Sequence, residues 1–549
     1  MSCRFLSLCR FVILCALVST GSTFAMESGL RDDDRLFRSL YGSELENSGY
    51  SVQEIAKLHL TYPQLFKDFI ESCNKQAETI ADCDVGAVNF RPTYLLKESV
   101  TTRISPPVQP HKERPTFIIL PGYVAELAEI TPYSDILEQP SQLKEQWLKK
   151  VAAANLKTGP HYSIIQGRDV QSPITSLIQA ASLDQADGTA TAHIFVIQHP
   201  LGSLESIGQL ADNADSIIPR IRQLNQIMPL EGPIYLLGYS RGANVALEII
   251  SRLPQLEARG QDPWAQKIAG MISLSGPLFG TTLSDSTAPN PLAGLLGFTQ
   301  DLQSCEANDS FLQRRKKIHS NTRLWKQSIG AILRDGGGLT GPEELELEGI
   351  KTGLIDLRMS AQVLKAVLFK DLFRLGRPVS EYCENVDRFK LFVAKVLEGA
   401  DVMSTQNMQT WFQTHTLPPE LDYIAVGATM MDASTVGNVQ PEGSNALCYT
   451  PSSADLQLSR SSYYQIFNAS GFHLNDGFVP LHRSLFLPAL HQKLNPAQQP
   501  YRARYLGALW QHHLGIAIPM GIPMANTAKT PFPRRDFLEA LARLTLSRQ

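Results

Sequence analysis

Residues 233–250 read PIYLLGYSRGANVALEII. Ile234 to Leu237 is an apolar run with the character of a buried strand, Gly238-Tyr239-Ser240-Arg241-Gly242 turns sharply, and Ala243 to Ile250 continues as an apolar-striped helix. A serine hydroxyl becomes a useful nucleophile only when it is held clear of its own strand, faces a base, and has backbone N–H groups beside it. Gly238 and Gly242 supply that clearance. The bare Gly-x-Ser-x-Gly spacing would occur by chance in roughly one chain in six of this length. Its place between a strand pattern and a helix pattern makes Ser240 the candidate nucleophile.

Outward from this stretch, strand patterns alternate with helical ones. Pro115–Tyr123 is rich in β-formers and ends in a Pro-Gly turn, Ala192–Gln198 is a second strand, and Leu210 to Leu224 reads as a helix. Further strands are expected at Ile268–Leu274, Leu421–Thr429 and Tyr501–Leu506. Such alternation implies an α/β fold with a mostly parallel central sheet. The rhythm divides the chain into a first core part over 111–284, a helical insertion over 285–419 and a second core part over 420–549. Within the insertion, Leu302–Lys317, Leu357–Leu375 and Phe389–Leu397 have helical character. Its Gly336-Gly337-Gly338 lacks the Gly-Lys-Ser/Thr ending of a phosphate loop and reads as a plain breaker. Residues 26–110 form a polar, helical N-terminal extension, closed by the Pro-rich connector 101–115.

With 43% hydrophobic and 19% charged residues the 549-residue chain has ordinary globular composition. A formal net charge of -3, with no basic run interleaved with aromatics, excludes nucleic acid as the expected partner. Arg4 and Arg10, the apolar run Phe11–Val18 and the small residues before Ala25 make residues 1–25 a secretory signal peptide, too short to span a bilayer. The mature protein is therefore expected to be exported, to the periplasm or beyond. Cys73, Cys83, Cys305, Cys383 and Cys448 remain after cleavage. Cys73 with Cys83 and Cys305 with Cys383 are plausible pairs, the connectivity being open. No clustered Cys/His spacing suggests zinc, and no cofactor is expected.

A serine nucleophile needs a base and a third group to orient it. On a strand-turn-helix scaffold of this class they follow in the order acid, then histidine. Asp476, in the turn-forming Asn475-Asp476-Gly477, is the candidate acid, with a surface Asx-turn as the rival explanation and Asp432 as the competing acid. Of twelve histidines, His482 and His491 precede the last strand, whereas His512 and His513 follow it; His513 is favoured as base over His512. The oxyanion donors expected are the backbone N–H groups of Arg241 and of Tyr123, which follows Pro121-Gly122. The Arg241 side chain is expected to meet a carboxylate at the rim of the sheet, or an anionic group on a substrate.

These motifs resemble the secreted bacterial triacylglycerol lipases of the α/β-hydrolase superfamily. Ser275-Gly276-Pro277-Leu278-Phe279-Gly280-Thr281 is similar to the family's turn before its lid, Asn475-Asp476-Gly477-Phe478-Val479 to its acid motif, and His513-Leu514 to its histidine motif. Pro121-Gly122 stands where the family has His-Gly. The resemblance spans residues 115–284 and 420–520. It implies an α/β-hydrolase fold with a lid-like insertion, Ser240, Asp476 and His513 as a triad, Tyr123 and Arg241 as oxyanion donors, and hydrolysis of lipid esters through an acyl-enzyme. Some such lipases hold a structural calcium, for which this sequence offers no clear ligand set. Leu292, Leu295, Leu296 and Phe298 in the insertion are candidates for a lid edge or a transient lipid-surface contact, or equally for buried packing. The alternative functions are an exported non-catalytic binding protein on a hydrolase scaffold and an acyltransferase using the same serine.

Overall fold

The computed structural model describes residues 114–123, 131–156, 163–165, 176–184, 190–199, 207–285, 303–306, 308–321, 323, scattered positions between 386 and 400, and 401–429, 466, 475–510, 513–517 and 534–546. The leader over 1–25, the N-terminal extension over 26–110, the stretch from Leu292 to Phe298, the triple glycine, Asp432, His512 and Cys73, Cys83, Cys383 and Cys448 lie outside the described residues. Cys305 is disulfide-bonded.

In chain order the elements are β1 (Thr116–Leu120), α1 (Ser134–Leu137), α2 (Gln142–Ala153), β2 (Ser163–Ile165), β3 (Ser176–Asp184), β4 (Ala190–Gln198), α3 (Leu210–Ile227), β5 (Ile234–Tyr239), α4 (Arg241–Ser251), α5 (Leu253–Arg259), β6 (Ile268–Leu274), α6 (Thr405–Thr414), β7 (Asp422–Thr429), α7 (Pro488–Leu494), β8 (Arg502–Trp510) and α8 (Arg534–Leu546). The strands form one eight-stranded sheet in the order β2-β3-β4-β1-β5-β6-β7-β8. From β4 to β8 every neighbouring pair is parallel, while β2 and β3 run antiparallel at one edge.

Both faces of the sheet are covered, which is why its central strands read as unbroken apolar runs. Along β1, Ile118 and Leu120 join one core while Phe117 and Ile119 join the other. The same two-residue alternation sends Leu236 one way and Tyr235, Leu237 and Tyr239 the other. The first face is packed by α2 through Leu143, Trp147 and Val151, by α3 through Leu210, Ile217, Ile221 and Leu224, and by α4. The second is packed by α1 and by Phe537, Leu538, Leu541 and Ala542 of α8. Each fully buried Leu, Ile or Phe contributes about 1.5–3 kcal/mol.

Two strands, β2 and β3, were absent from the sequence-based expectation. β3, SLIQAASLD, carries Ser, Gln and Ala, residues with weak strand preference. Its pairing with β4, from Leu177 opposite Gln198 to Asp184 opposite Ala190, supplies what local preference does not. β8 also runs on to Trp510, beyond the expected end at Leu506, in register with Thr429 of β7. The described residues of the insertion are helical or irregular, with a helical stretch over 311–321 and then α6. Among the described residues no helix is long and apolar enough to cross a membrane.

Candidate active site

The site begins with a local conflict. β5 is buried along its whole length, and α4 starts one residue after Ser240. The chain can reverse so abruptly only if Ser240 adopts φ 53°, ψ −130°, a region that side-chain-bearing residues avoid. Ser240 N–H donates to the Leu274 carbonyl of β6 at 3.0 Å, and its own carbonyl accepts from Ala243 N–H at 2.9 Å. The flanking glycines allow the approach. A Cβ on Gly238 would stand 2.3 Å from Ala243 Cα, and one on Gly242 2.1 Å from the Leu120 carbonyl oxygen. The half-buried Ser240 is thereby presented at the carboxyl end of β5, at the N-terminus of α4.

Asp476 comes from the loop after β7. Asn475 and Pro480 form an antiparallel bridge, Gly477 takes φ 89°, and Asn475 Oδ1 accepts from Gly477 N–H at 3.0 Å. One carboxylate oxygen of Asp476 accepts from Phe478 N–H at 2.9 Å and Val479 N–H at 2.7 Å. The turn that competed as an explanation for this aspartate is thus present. It is buried, with Asp476 only 1% exposed, and the second carboxylate oxygen lies 2.7 Å from His513 Nδ1.

His513 opens a short 3-10 turn, His513–Ile516, after β8 and is itself buried. Its N–H donates to the Asp476 carbonyl at 2.9 Å and its carbonyl accepts from the Tyr239 hydroxyl at 2.9 Å. Its ring packs against two others, Tyr239 at 5.3 Å and Phe478 at 4.9 Å between centroids. On the side away from Asp476, Nε2 is 2.7 Å from Ser240 Oγ. Hydroxyl, imidazole and carboxylate therefore form one continuous hydrogen-bonded chain, at distances at which a proton can pass from the hydroxyl to the ring.

Parallel strands β4 to β8, a serine on the sharp turn from β5 to α4, and an acid and a histidine delivered after β7 and β8 decide the architecture. The fold is that of the α/β-hydrolases. Solved structures to which the chain is similar include a metagenomic carboxyl esterase, 15% identical, with TM-score 0.37 over 87% of this chain and 90% of that one. The Staphylococcus hyicus lipase is 9% identical, with TM-score 0.34 over 80% and 97% of the two chains. Lipase 1 from Pelosinus fermentans is 9% identical, with TM-score 0.29 over 80% and 99%. No family model matches the chain. No curated protein matches it either.

The loop after β1 runs against the turn at Ser240, since a Cβ on Gly122 would come 2.9 Å from Ser240 Cβ. Tyr123 and Arg241 are therefore neighbours of Ser240, the first through this loop and the second as the first residue of α4, whose N–H has no acceptor one turn back in its own helix. The Arg241 side chain turns into the scaffold. It donates to Asn213 Oδ1 at 2.6 Å and to the Gly208 carbonyl, and lies over the Tyr123 ring at 5.6 Å. Burial pushes the Tyr123 phenol up, against the opposing pull of the Arg241 charge. The same charge helps to hold the Glu398 carboxyl below its usual range, behind the larger effect of the Lys395 hydrogen bond. Arg241 thus braces the loop beneath the site through Asn213, the Gly208 carbonyl and the Tyr123 ring.

Three neighbours were not singled out by sequence reasoning. Tyr239 and Phe478 hold the imidazole, and Thr281 Oγ1 donates to the Phe478 carbonyl at 2.5 Å, tying the turn after β6 to the acid loop. Tyr239 and Phe478 each sit beside a motif residue, and adjacency was the one available signal. Among the described residues no group of three or more His, Cys, Asp or Glu is placed to hold a metal ion.

Proposed function

We propose that this protein is a serine ester hydrolase that works through an acyl-enzyme and acts on lipid esters. The observation that carries the reading is the chain of two 2.7 Å contacts from Ser240 Oγ through His513 to Asp476. Ser240 Oγ attacks the ester carbonyl carbon as its proton passes to His513 Nε2. Asp476 holds the ring in the right tautomer and stabilises its positive charge. The carbonyl oxygen becomes an oxyanion facing the Arg241 and Tyr123 N–H groups. Collapse breaks the carbon–oxygen bond to the alcohol, which leaves with the proton from Nε2. Water, deprotonated by the same nitrogen, then releases the acid and restores Ser240.

The preference for lipid rests on the insertion over 285–419, read as a lid. Phe311 is 62% exposed, Leu312 74% and Leu391 53%, which suits a surface that meets acyl chains. The leader-like residues 1–25 support export, and the core is assigned to 111–284 and 420–549.

Short- and long-chain nitrophenyl esters and a phospholipid, offered to wild type and Ser240→Ala, test the reading. Wild type is expected to turn over at least one ester, and Ser240→Ala to lose about 10⁴-fold or more in kcat. A serine-directed fluorophosphonate should label Ser240 and fail on His513→Ala. Equal behaviour of wild type and Ser240→Ala would leave a binding protein, and turnover only with an added alcohol acceptor would replace hydrolase by transferase.

A further inference from the structure

Two aromatic rings pack against the imidazole of His513. The buried Tyr239 ring is tilted 31° at 5.3 Å, and the partly exposed Phe478 ring is stacked at 27° and 4.9 Å. Phe478 is 38% exposed, an unusual expense for a large apolar ring, and one of the few exposed large apolar side chains among the described residues. Its position is nevertheless well determined. Its N–H donates to Asp476 Oδ1 at 2.9 Å, and its carbonyl accepts from Thr281 Oγ1 at 2.5 Å. The backbone thus holds a ring over the imidazole where simple burial would not have placed one.

An aromatic face carries partial negative charge and attracts a cation stacked on it. The neutral imidazole gains little from this, whereas the imidazolium formed when His513 takes the Ser240 proton gains fully. An interaction that strengthens only as the charge develops lowers the barrier and leaves substrate binding unchanged. We infer that Phe478 acts through His513 as an electrostatic positioning residue, stabilising the imidazolium of the transition state. The inference rests on the hydrolase reading above. It concerns the proton acceptor alone and makes no claim on the substrate.

Other groups surround His513 among the described residues. Asp476 faces Nδ1 and Ser240 faces Nε2. Tyr239 is buried and its phenol is pushed well up, by burial first and then by the Asp476 charge, so it stands as a neutral hydroxyl donor. Tyr133 adjoins Tyr239 and is likewise pushed up by burial, and Arg534, paired with Asp135 at 3.0 Å, donates to the Gly515 carbonyl behind the His513 turn. None of these is altered by a change at the Phe478 side chain.

The test is the series Phe478→Leu, wild type, Phe478→Trp, read as kcat and KM across pH and as the NMR titration of the His513 ring. Leucine keeps an apolar cover without a π-face, and tryptophan offers the stronger one. Phe478→Leu should lower kcat by about 3-fold with KM unchanged, and shift the acidic limb of kcat/KM and the ring titration to lower pH by about half a unit. Phe478→Trp should move both readings the other way. A KM change with an unmoved acidic limb would make Phe478 a wall of the substrate site and overturn the inference, as would a ring titration at the same pH in all three proteins. Failure of wild type to turn over any ester would count against the hydrolase reading, while the ring titration would still decide the role of Phe478.

Discussion

Ser240 holds a backbone conformation that costs of order 1–3 kcal/mol, maintained by the strands around it. The two glycines beside it have no substitute at their contact distances. Gly242→Ala would force a methyl group to 2.1 Å from the Leu120 carbonyl, part of a β-strand that cannot yield. The expected cost is about 3 kcal/mol or more, read as a lower urea midpoint and as loss of fluorophosphonate labelling. Gly260, at φ 64° with nothing within 4 Å, is the control. Gly260→Ala should cost about 1 kcal/mol through its backbone alone and leave labelling intact. If the two substitutions behave alike, close packing at the turn is not what holds the serine. This part of the site was legible in the sequence because strand, turn and helix are contiguous, and the residues that clash or fit are a few positions apart.

At the scale of elements, α4 does more than follow Ser240. Glu248, only 4% exposed, accepts from Arg252 at 2.6 and 2.9 Å and from the Trp411 indole of α6 at 2.7 Å. His415 stacks on Trp411 at 4.4 Å and brings its Nε2 to 3.7 Å from the same carboxylate. Asn244 donates to the Pro277 carbonyl, and Phe412 of α6 stacks on Phe279 at 4.4 Å. The end of the segment between β6 and β7 is therefore moored to α4. Glu248→Ala leaves the buried Trp411 indole N–H without its acceptor, while Arg252 keeps Asp215 at 2.6 Å, and should cost about 1–3 kcal/mol in chemical denaturation; the variant, once folded, keeps its labelled serine. An unchanged denaturation midpoint would mean that the cluster contributes nothing net. None of this was visible in the sequence, where Glu248 reads as an ordinary helix carboxylate. Its partner Trp411 lies 163 positions away, beyond any helical or strand period. β3 escaped for a related reason, since its Ser, Gln and Ala residues form a strand only when β4 is there to pair with them.

Across the whole molecule, acid should loosen the join between insertion and sheet. His491 on α7 is fully buried, donates through Nε2 to the His415 carbonyl at 3.0 Å, and packs edge-on to Phe412 and Tyr501. Burial pushes it down to about 4. Between its ordinary value of about 6.5 and that value the unfolded chain binds more protons than the native one. The stability this residue secures is thus complete above pH 6.5 and is lost as pH falls through the window, by about 3 kcal/mol in all. His491→Gln, which keeps a donor and cannot titrate, should flatten the fall of unfolding free energy between pH 6.5 and 4. Parallel pH curves for the two proteins would exclude His491 as the source.

The sequence by itself determined the parallel α/β arrangement, the strand-turn-helix around Ser240 and the chain order of Ser240, Asp476 and His513 as candidates, because apolar periodicity and turn chemistry act between near neighbours. Tertiary structure alone decided that the Asp476 turn faces inward, that His513 touches both partners, and that rings at 239 and 478 pack against it. The Tyr239 hydroxyl meets the His513 carbonyl across 274 positions. Such a contact exists only once the sheet has set the ends of its strands side by side, and no local pattern records it.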